Sequence, residues 1–298
     1  MADKHVLHMV TPLPNVSPFD VNMALDAGYD AVVPYTNVGL REVTGLVQDA
    51  IFSRPPKAGV NTAMFFGGKD AVLALDMLDA ARKALVPPFG ISFFADPSGS
   101  FTTAAAMVAC VEKALREHAA RDLKKLRLAV FGGTGVVGFA AAVIAAEQEA
   151  EVTLVGHDGA ARVEKAAKEI ESRFGVAVTA ADGSDDKKKA AILAANDVVL
   201  SAARAGTQVL SRDQIAAAPH LLVVADVNAV PPPGIEGLEI MAKGDRISPD
   251  GPRGLGPLAI GNVKYQCEFQ LFQQMLRAER PVAFELRDVF RRAREIAG

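Results

Sequence analysis

Short apolar runs alternate with longer stretches in which apolar residues recur at helical spacing. Apolar runs at residues 5–10, 31–35, 62–66 and 90–95 predict strands. Patterns at 19–27, 40–53 and 70–85 predict the helices between them. A long helix is expected at 102–120, with Ala and Val on one face and Glu112, Lys113, Arg116 and Glu117 on another. The polar run Arg121-Asp122-Leu123-Lys124-Lys125 then interrupts the pattern. The alternation resumes with strands expected at 126–131, 152–155, 176–180, 197–201 and 221–225, and a sixth at 258–261 that opens a helix running to Leu276. Helices are expected at 135–146, 162–174 and 187–194, and a last one at 284–297. Strands alternating with helices imply crossover units and mainly parallel sheets. The expected class is α/β: an N-terminal α/β domain at 1–121 and a Rossmann-type dinucleotide-binding domain at 122–298, the last helix packing on either.

Composition narrows the function classes. Of 298 residues half are hydrophobic and 22% charged, enough apolar material for a real core. The net charge of −3 lacks the basic surplus of a nucleic-acid binder. Cys110 and Cys267 lie far apart with no metal-ligand spacing, so neither a disulfide scaffold nor a metal site is expected, and a reducing cytoplasm fits. The segment Met1-Ala2-Asp3-Lys4-His5 lacks the build of a secretion signal, and no apolar stretch has the length of a membrane span.

The strongest local signal is Gly133-Thr134-Gly135-Val136-Val137-Gly138, between an apolar strand and an alanine-rich helix. In that context Gly133 permits a tight turn, Gly135 lets a pyrophosphate approach the backbone, and Gly138 lets helix and strand pack closely. At the end of the next strand stand His157 and Asp158. Asp158 is near the position where an acid binds the ribose hydroxyls of NAD, so NAD is favoured and NADP stays open; Asp158 as a helix cap is the plainer alternative. Two later strand ends, one with Ala202, Ala203, Arg204 and Gly206 and one with Asp226 and Asn228, are expected to border the nicotinamide. The second also reads as an ordinary capping pair.

The segment Asp96-Pro97-Ser98-Gly99-Ser100-Phe101-Thr102-Thr103 places an acid and several hydroxyls where a strand meets the long helix. Part of this is N-cap chemistry, but the number of polar groups points to a second ligand. With Ser17-Pro18-Phe19-Asp20, Asp26-Ala27-Gly28, Gly67-Gly68, Asp70, the glycine turn, Ala225-Asp226-Val227-Asn228, Pro231-Pro232 and the residues from Gly256 to Lys264, the chain resembles the NAD(P)-dependent methylene-tetrahydromethanopterin dehydrogenases of methylotrophic bacteria nearly end to end. The branch restricted to NADP has an Arg after the second strand; His157 here resembles the branch accepting NAD.

The resemblance implies a cleft between two domains and a cytoplasmic homo-oligomer in formaldehyde oxidation; by composition no metal, nucleic-acid or membrane partner is expected. The implied reaction passes a hydride from the reduced pterin to NAD or NADP. A hydride leaving a carbon between two nitrogens leaves a cation there, so the chemistry asks for positioning and negative potential rather than a proton-transfer base. Asp20 and Asp96 are the candidates for that potential, Lys264 for gripping a pterin carbonyl or anionic group, and Ser98, Ser100, Thr102 and Thr103 for binding the substrate. Rival readings are a shikimate- or methylene-tetrahydrofolate-type dehydrogenase and a non-catalytic NAD(P) sensor.

Overall fold

The computed structural model describes residues 4–298; the first three residues of the N-terminal segment considered above lie outside it. By backbone contacts the chain forms two compact units. One takes in the described residues up to Thr102 together with Tyr265–Arg292; the other is Thr103–Lys264 with Ala293–Gly298. The boundary expected after Arg121 lies just past the end of the long helix, whereas the contact boundary, between Thr102 and Thr103, lies near its start.

The first unit contains β1 (Val6–Val10), α1 (Pro18–Ala27), β2 (Ala31–Tyr35), α2 (Val43–Phe52), β3 (Thr62–Phe66), α3 (Ala71–Lys83) and β4 (Ser92–Ala95), followed by the start of α4 (Ser100–Ala119). Local chemistry sets these boundaries. The Ser17 hydroxyl caps α1 by accepting from the Asp20 N–H, Pro18 stands at its first turn, and Gly28 ends it at φ 118° in the left-handed region. Asp70 caps α3 by accepting from the Leu73 N–H. β3 and β4 are buried along their whole length, as central parallel strands are.

The second unit runs β5 (Arg127–Phe131), α5 (Val136–Glu147), β6 (Glu151–Gly156), α6 (Ala161–Phe174), β7 (Thr179–Asp182), α7 (Asp186–Ala195), β8 (Val198–Ser201), α8 (Arg212–Ala216), β9 (Val223–Asp226), β10 (Lys243–Arg246), β11 (Arg253–Leu255) and the start of α9 (Pro257–Leu276). Among the described residues its sheet has the order β10-β11-β9-β8-β5-β6-β7, parallel except for the β10/β11 pair. From β7 to β11 this is the 3-2-1-4-5-6 order of a dinucleotide-binding sheet. In the first unit, β12 (Ala283–Phe284) joins β4 as an edge, giving β12-β4-β3-β1-β2, all parallel, and α10 (Leu286–Ala297) follows.

Two expected strands are corrected. Residues 258–261 are the first turns of α9, because Pro257 has the fixed φ suited to a helix start; the sixth parallel strand is β11, just upstream. The third strand lies at Thr179–Asp182 rather than 176–180, its Thr179 in register with Thr153 of β6. Among the described residues no helix is long and apolar enough to cross a membrane.

Candidate active site

In the second unit a cleft of about 570 Å³ opens at the carboxyl ends of β5, β6, β7 and β8. Its floor is the turn from β5 into α5. Here the left-handed residue is Gly132, at φ 84°, and not Gly133, the glycine expected to permit the tight turn. A Cβ on Gly132 would lie 2.4 Å from the Ala202 carbonyl oxygen, so the approach of the neighbouring strand end demands glycine there. A Cβ on Gly133 would meet the Leu154 side chain at 2.7 Å, and one on Gly138 would lie 2.4 Å from the Gly132 carbonyl oxygen. Gly135, exposed, is the N-cap of α5, and no side chain caps the helix; Val136 and Val137 form its first turn. The first N–H groups of a helix lack intrahelical partners and carry its positive dipole end, so this start suits an anion. Thr134 and Gly135 line the cleft directly. A dinucleotide pyrophosphate fits a floor built from backbone with no side chain over it.

The rim separates the expected residues. His157, Ala202, Ala203 and Arg204 line the cleft. Asp158 does not: its carboxylate takes a 3.1 Å hydrogen bond from Arg162 one helical turn on, which holds its pKa below the usual carboxylate value. Asp226 and Asn228 also have other work. Asp226 is buried and accepts from the N–H groups of Gly234 (2.7 Å), Ile235 (3.2 Å) and Asn228 (3.1 Å); burial raises its pKa despite these bonds. Asn228 Oδ1 accepts from Val230 N–H (2.9 Å) and Gly206 N–H (3.2 Å), and its Nδ2 donates to the Pro232 carbonyl (2.9 Å). Together they pin the proline loop and Gly206, which turns at φ 73°. Sequence reading missed Lys189, Gly183 and the 207–209 segment, which also line the cleft.

The first unit has its own cavity, of about 380 Å³, over the carboxyl ends of β1 and β3 and the start of α1. Asp20 and Ser98 line it, with Asn15, Ser17 and Lys69. Asp20 is 3% exposed in the first turn of α1, where the helix dipole favours its charge. Ser98 has a left-handed backbone (φ 53°), and its hydroxyl donates to the Gly68 carbonyl at 2.6 Å, tying two strand-end loops together.

Asp96 is placed differently. It is fully buried and does not line that cavity. Oδ1 accepts from the Phe101 N–H (2.8 Å) and Thr102 N–H (3.3 Å), and Oδ2 accepts from the Thr102 hydroxyl (2.6 Å). The carboxylate thus serves the start of α4. Thr102 is spent in that cap, Ser100 is buried beside it, and Thr103 lies on the first turn of α4; none of the three lines the cavity. Lys264 is two turns inside α9, not at a helix start, because the helix already begins at Pro257.

Residues 18–98 match the family model for the N-terminal part of methylene-tetrahydromethanopterin dehydrogenase. A protein of Methylorubrum extorquens, the NAD(P)-dependent methylenetetrahydromethanopterin dehydrogenase, is 50% identical over 295 residues, 99% of each chain. The chain belongs to the methylenetetrahydromethanopterin dehydrogenase family. Solved structures of similar fold include two dehydrogenases. Quinate dehydrogenase of Corynebacterium glutamicum, in complex with NAD, superposes with a TM-score of 0.53 at 16% identity, covering 98% of this chain and 99% of the other. Shikimate 5-dehydrogenase of Listeria monocytogenes, in complex with shikimate and NAD, gives 0.51 at 14% identity, covering 91% and 92%. At these identities the likeness is one of fold.

Proposed function

We propose that this protein oxidises methylene-tetrahydromethanopterin to the methenyl form and passes the hydride to NAD(P)⁺. The carrying observation is the 50% identity to the Methylorubrum dehydrogenase across 99% of both chains. The glycine-turn cleft and the Asp20 cavity are consistent with it.

When bound, the nicotinamide cofactor supplies the hydride acceptor. Gly132 and Gly135 leave the α5 start open to its pyrophosphate, and Ala202 and Ala203 leave a flat wall. The substrate's carbon becomes cationic as the hydride leaves. In this reading Asp20, nearly buried in the first-unit cavity, is the carboxylate that favours that charge. Such a group lowers the barrier only insofar as it acts more strongly on the transition state than on the substrate. Lys69 and Ser98 line the same cavity and take the polar edge of the substrate in this reading. Lys264 stays the candidate grip on a pterin carbonyl. A cytoplasmic homo-oligomer working in one-carbon oxidation belongs to the same proposal.

The test is NADH or NADPH formation, followed by absorbance, with methylene-tetrahydromethanopterin, methylene-tetrahydrofolate and shikimate as separate substrates. Turnover with the methanopterin substrate and none with shikimate is expected. Turnover with shikimate alone would transfer the protein to the shikimate type. Cofactor binding without turnover of any substrate would favour a sensor.

A further inference from the structure

The cleft at the glycine turn is lined by three basic side chains, His157, Lys189 and Arg204, and by no carboxylate among the described residues. The acids closest in sequence are drawn elsewhere. Asp158 is held by Arg162. Asp182, at the end of β7, accepts from Lys188 Nζ (2.7 Å) and from the Ser184 N–H (2.9 Å), which bring its pKa down to about 2. Asp185 accepts from the Lys188 N–H at 2.8 Å. Lys188 and Lys189 are neighbours on the first turn of α7, and the helix sends them in different directions. Lys188 goes to the acids. Lys189 goes to the cleft wall, where its ammonium donates to the Val209 carbonyl at 2.8 Å. An ammonium carries three donors, so this bond fixes the position of Lys189 without exhausting it.

We propose that Lys189 is the contact for a 2′-phosphate on the adenosine ribose, and so the residue that equips this cleft for NADP as well as NAD. The inference rests on the reading of the cleft as a dinucleotide site. In such sheets the adenosine ribose lies off the second strand, here β6. His157 after β6, Gly183 after β7 and Lys189 line one continuous cleft there. The usual NAD determinant is a carboxylate accepting from both ribose hydroxyls, which repels a 2′-phosphate. Asp158, the acid nearest that position, is tied to Arg162 outside the cleft lining. What remains on the walls includes the cations Lys189 and Arg204, and a half-buried lysine pre-positioned by Val209 favours a dianion there.

Calorimetry separates the possibilities, with 5′-AMP and 2′,5′-ADP as probes on the full-length protein. Lys189→Gln is expected to weaken 2′,5′-ADP about tenfold or more while 5′-AMP changes much less, and Lys189→Arg to keep most of the 2′,5′-ADP affinity. The kcat/KM ratio for NADP over NAD should fall in the same proportion in Lys189→Gln. Equal weakening of both probes would make Lys189 only a strap for the Val209 segment, and an unchanged affinity ratio would remove it from the phosphate site; either overturns the proposal. Wild-type protein that binds neither probe would overturn the dinucleotide reading itself, and this inference with it.

Discussion

After β4 the chain passes from a buried strand into a helix through residues 96–99; after β5 it makes the same passage through residues 132–135. Both turns stand at the carboxyl end of a parallel strand, and both face the problem of unpaired N–H groups at a helix start. The first solves it from within. Asp96, fully buried, gives both oxygens to Phe101 and Thr102. The second has no side-chain cap, and glycine keeps its surface bare. One helix start carries its own anion, and the other is left to receive one. A strand-end acid is therefore evidence of a binding site only when its oxygens are not already spent on the next helix.

The largest effect that sharpens this contrast is on stability. Asp96→Ala strips partners from two buried N–H groups and a hydroxyl, a loss of about 3–5 kcal/mol, seen as a melting point lowered by several degrees. Asp96→Asn keeps the shape and one acceptor oxygen and is expected to cost about 1–2 kcal/mol while kcat holds. A kcat collapse in Asp96→Asn without loss of stability would return the catalytic role to Asp96. Next in size is Asp20→Asn. Removing a carboxylate from the first-unit cavity is expected to lower kcat about tenfold to a hundredfold, with a smaller change in KM. An unchanged kcat in steady-state assays would leave Asp20 as only a first-turn acid of α1.

The smallest effect belongs to the other end of the same strands. At the start of β5, Arg127 binds Asp197, just before β8, through 2.7 Å and 3.1 Å side-chain contacts, and its N–H adds a third at 3.0 Å. The hydrogen bonds from Arg127 are the largest cause of a lowered Asp197 pKa. A lowered folded-state pKa means the contribution is fully present above the ordinary value near 3.8 and is lost as pH falls through the folded-state value. Asp197→Ala should therefore flatten the acid limb of the stability profile, shift the melting point at neutral pH by only about 2 °C or less because the pair is half exposed, and leave cofactor affinity alone. A weakened cofactor Kd would show that the two ends of the sheet are coupled.

Much of this was legible in advance because it is local. β2 and β3 fall on the expected residues, and the glycine turn announces itself by its strand and helix neighbours. What was hidden depends on partners distant in the fold or on one choice among local partners. That Gly132 rather than Gly133 takes the left-handed turn follows from the approach of Ala202, which lies on another strand end. Asp158 has Arg162 one turn ahead, a visible spacing, but nothing in the sequence ranks that pairing above a ribose. Asp226 looks like a ligand from its place at the end of β9, and only the fold brings Gly234 and Ile235 onto its carboxylate. Lys189 sits in a run of three lysines, and its direction is set by α7 and Val209.

The contrast between the two turns is tested most directly by titrating NAD calorimetrically into Gly135→Val. A Cβ at this position would lie 3.3 Å from the Gly132 carbonyl oxygen, so the fold has only to give slightly, while a branched side chain now covers the α5 start. The account predicts a Kd raised by about tenfold or more, the loss of at least one charge-assisted contact, in a protein that still melts cooperatively near the wild-type temperature. Wild-type affinity in that folded variant would contradict it, because the uncapped turn would then not be where the cofactor's phosphates bind.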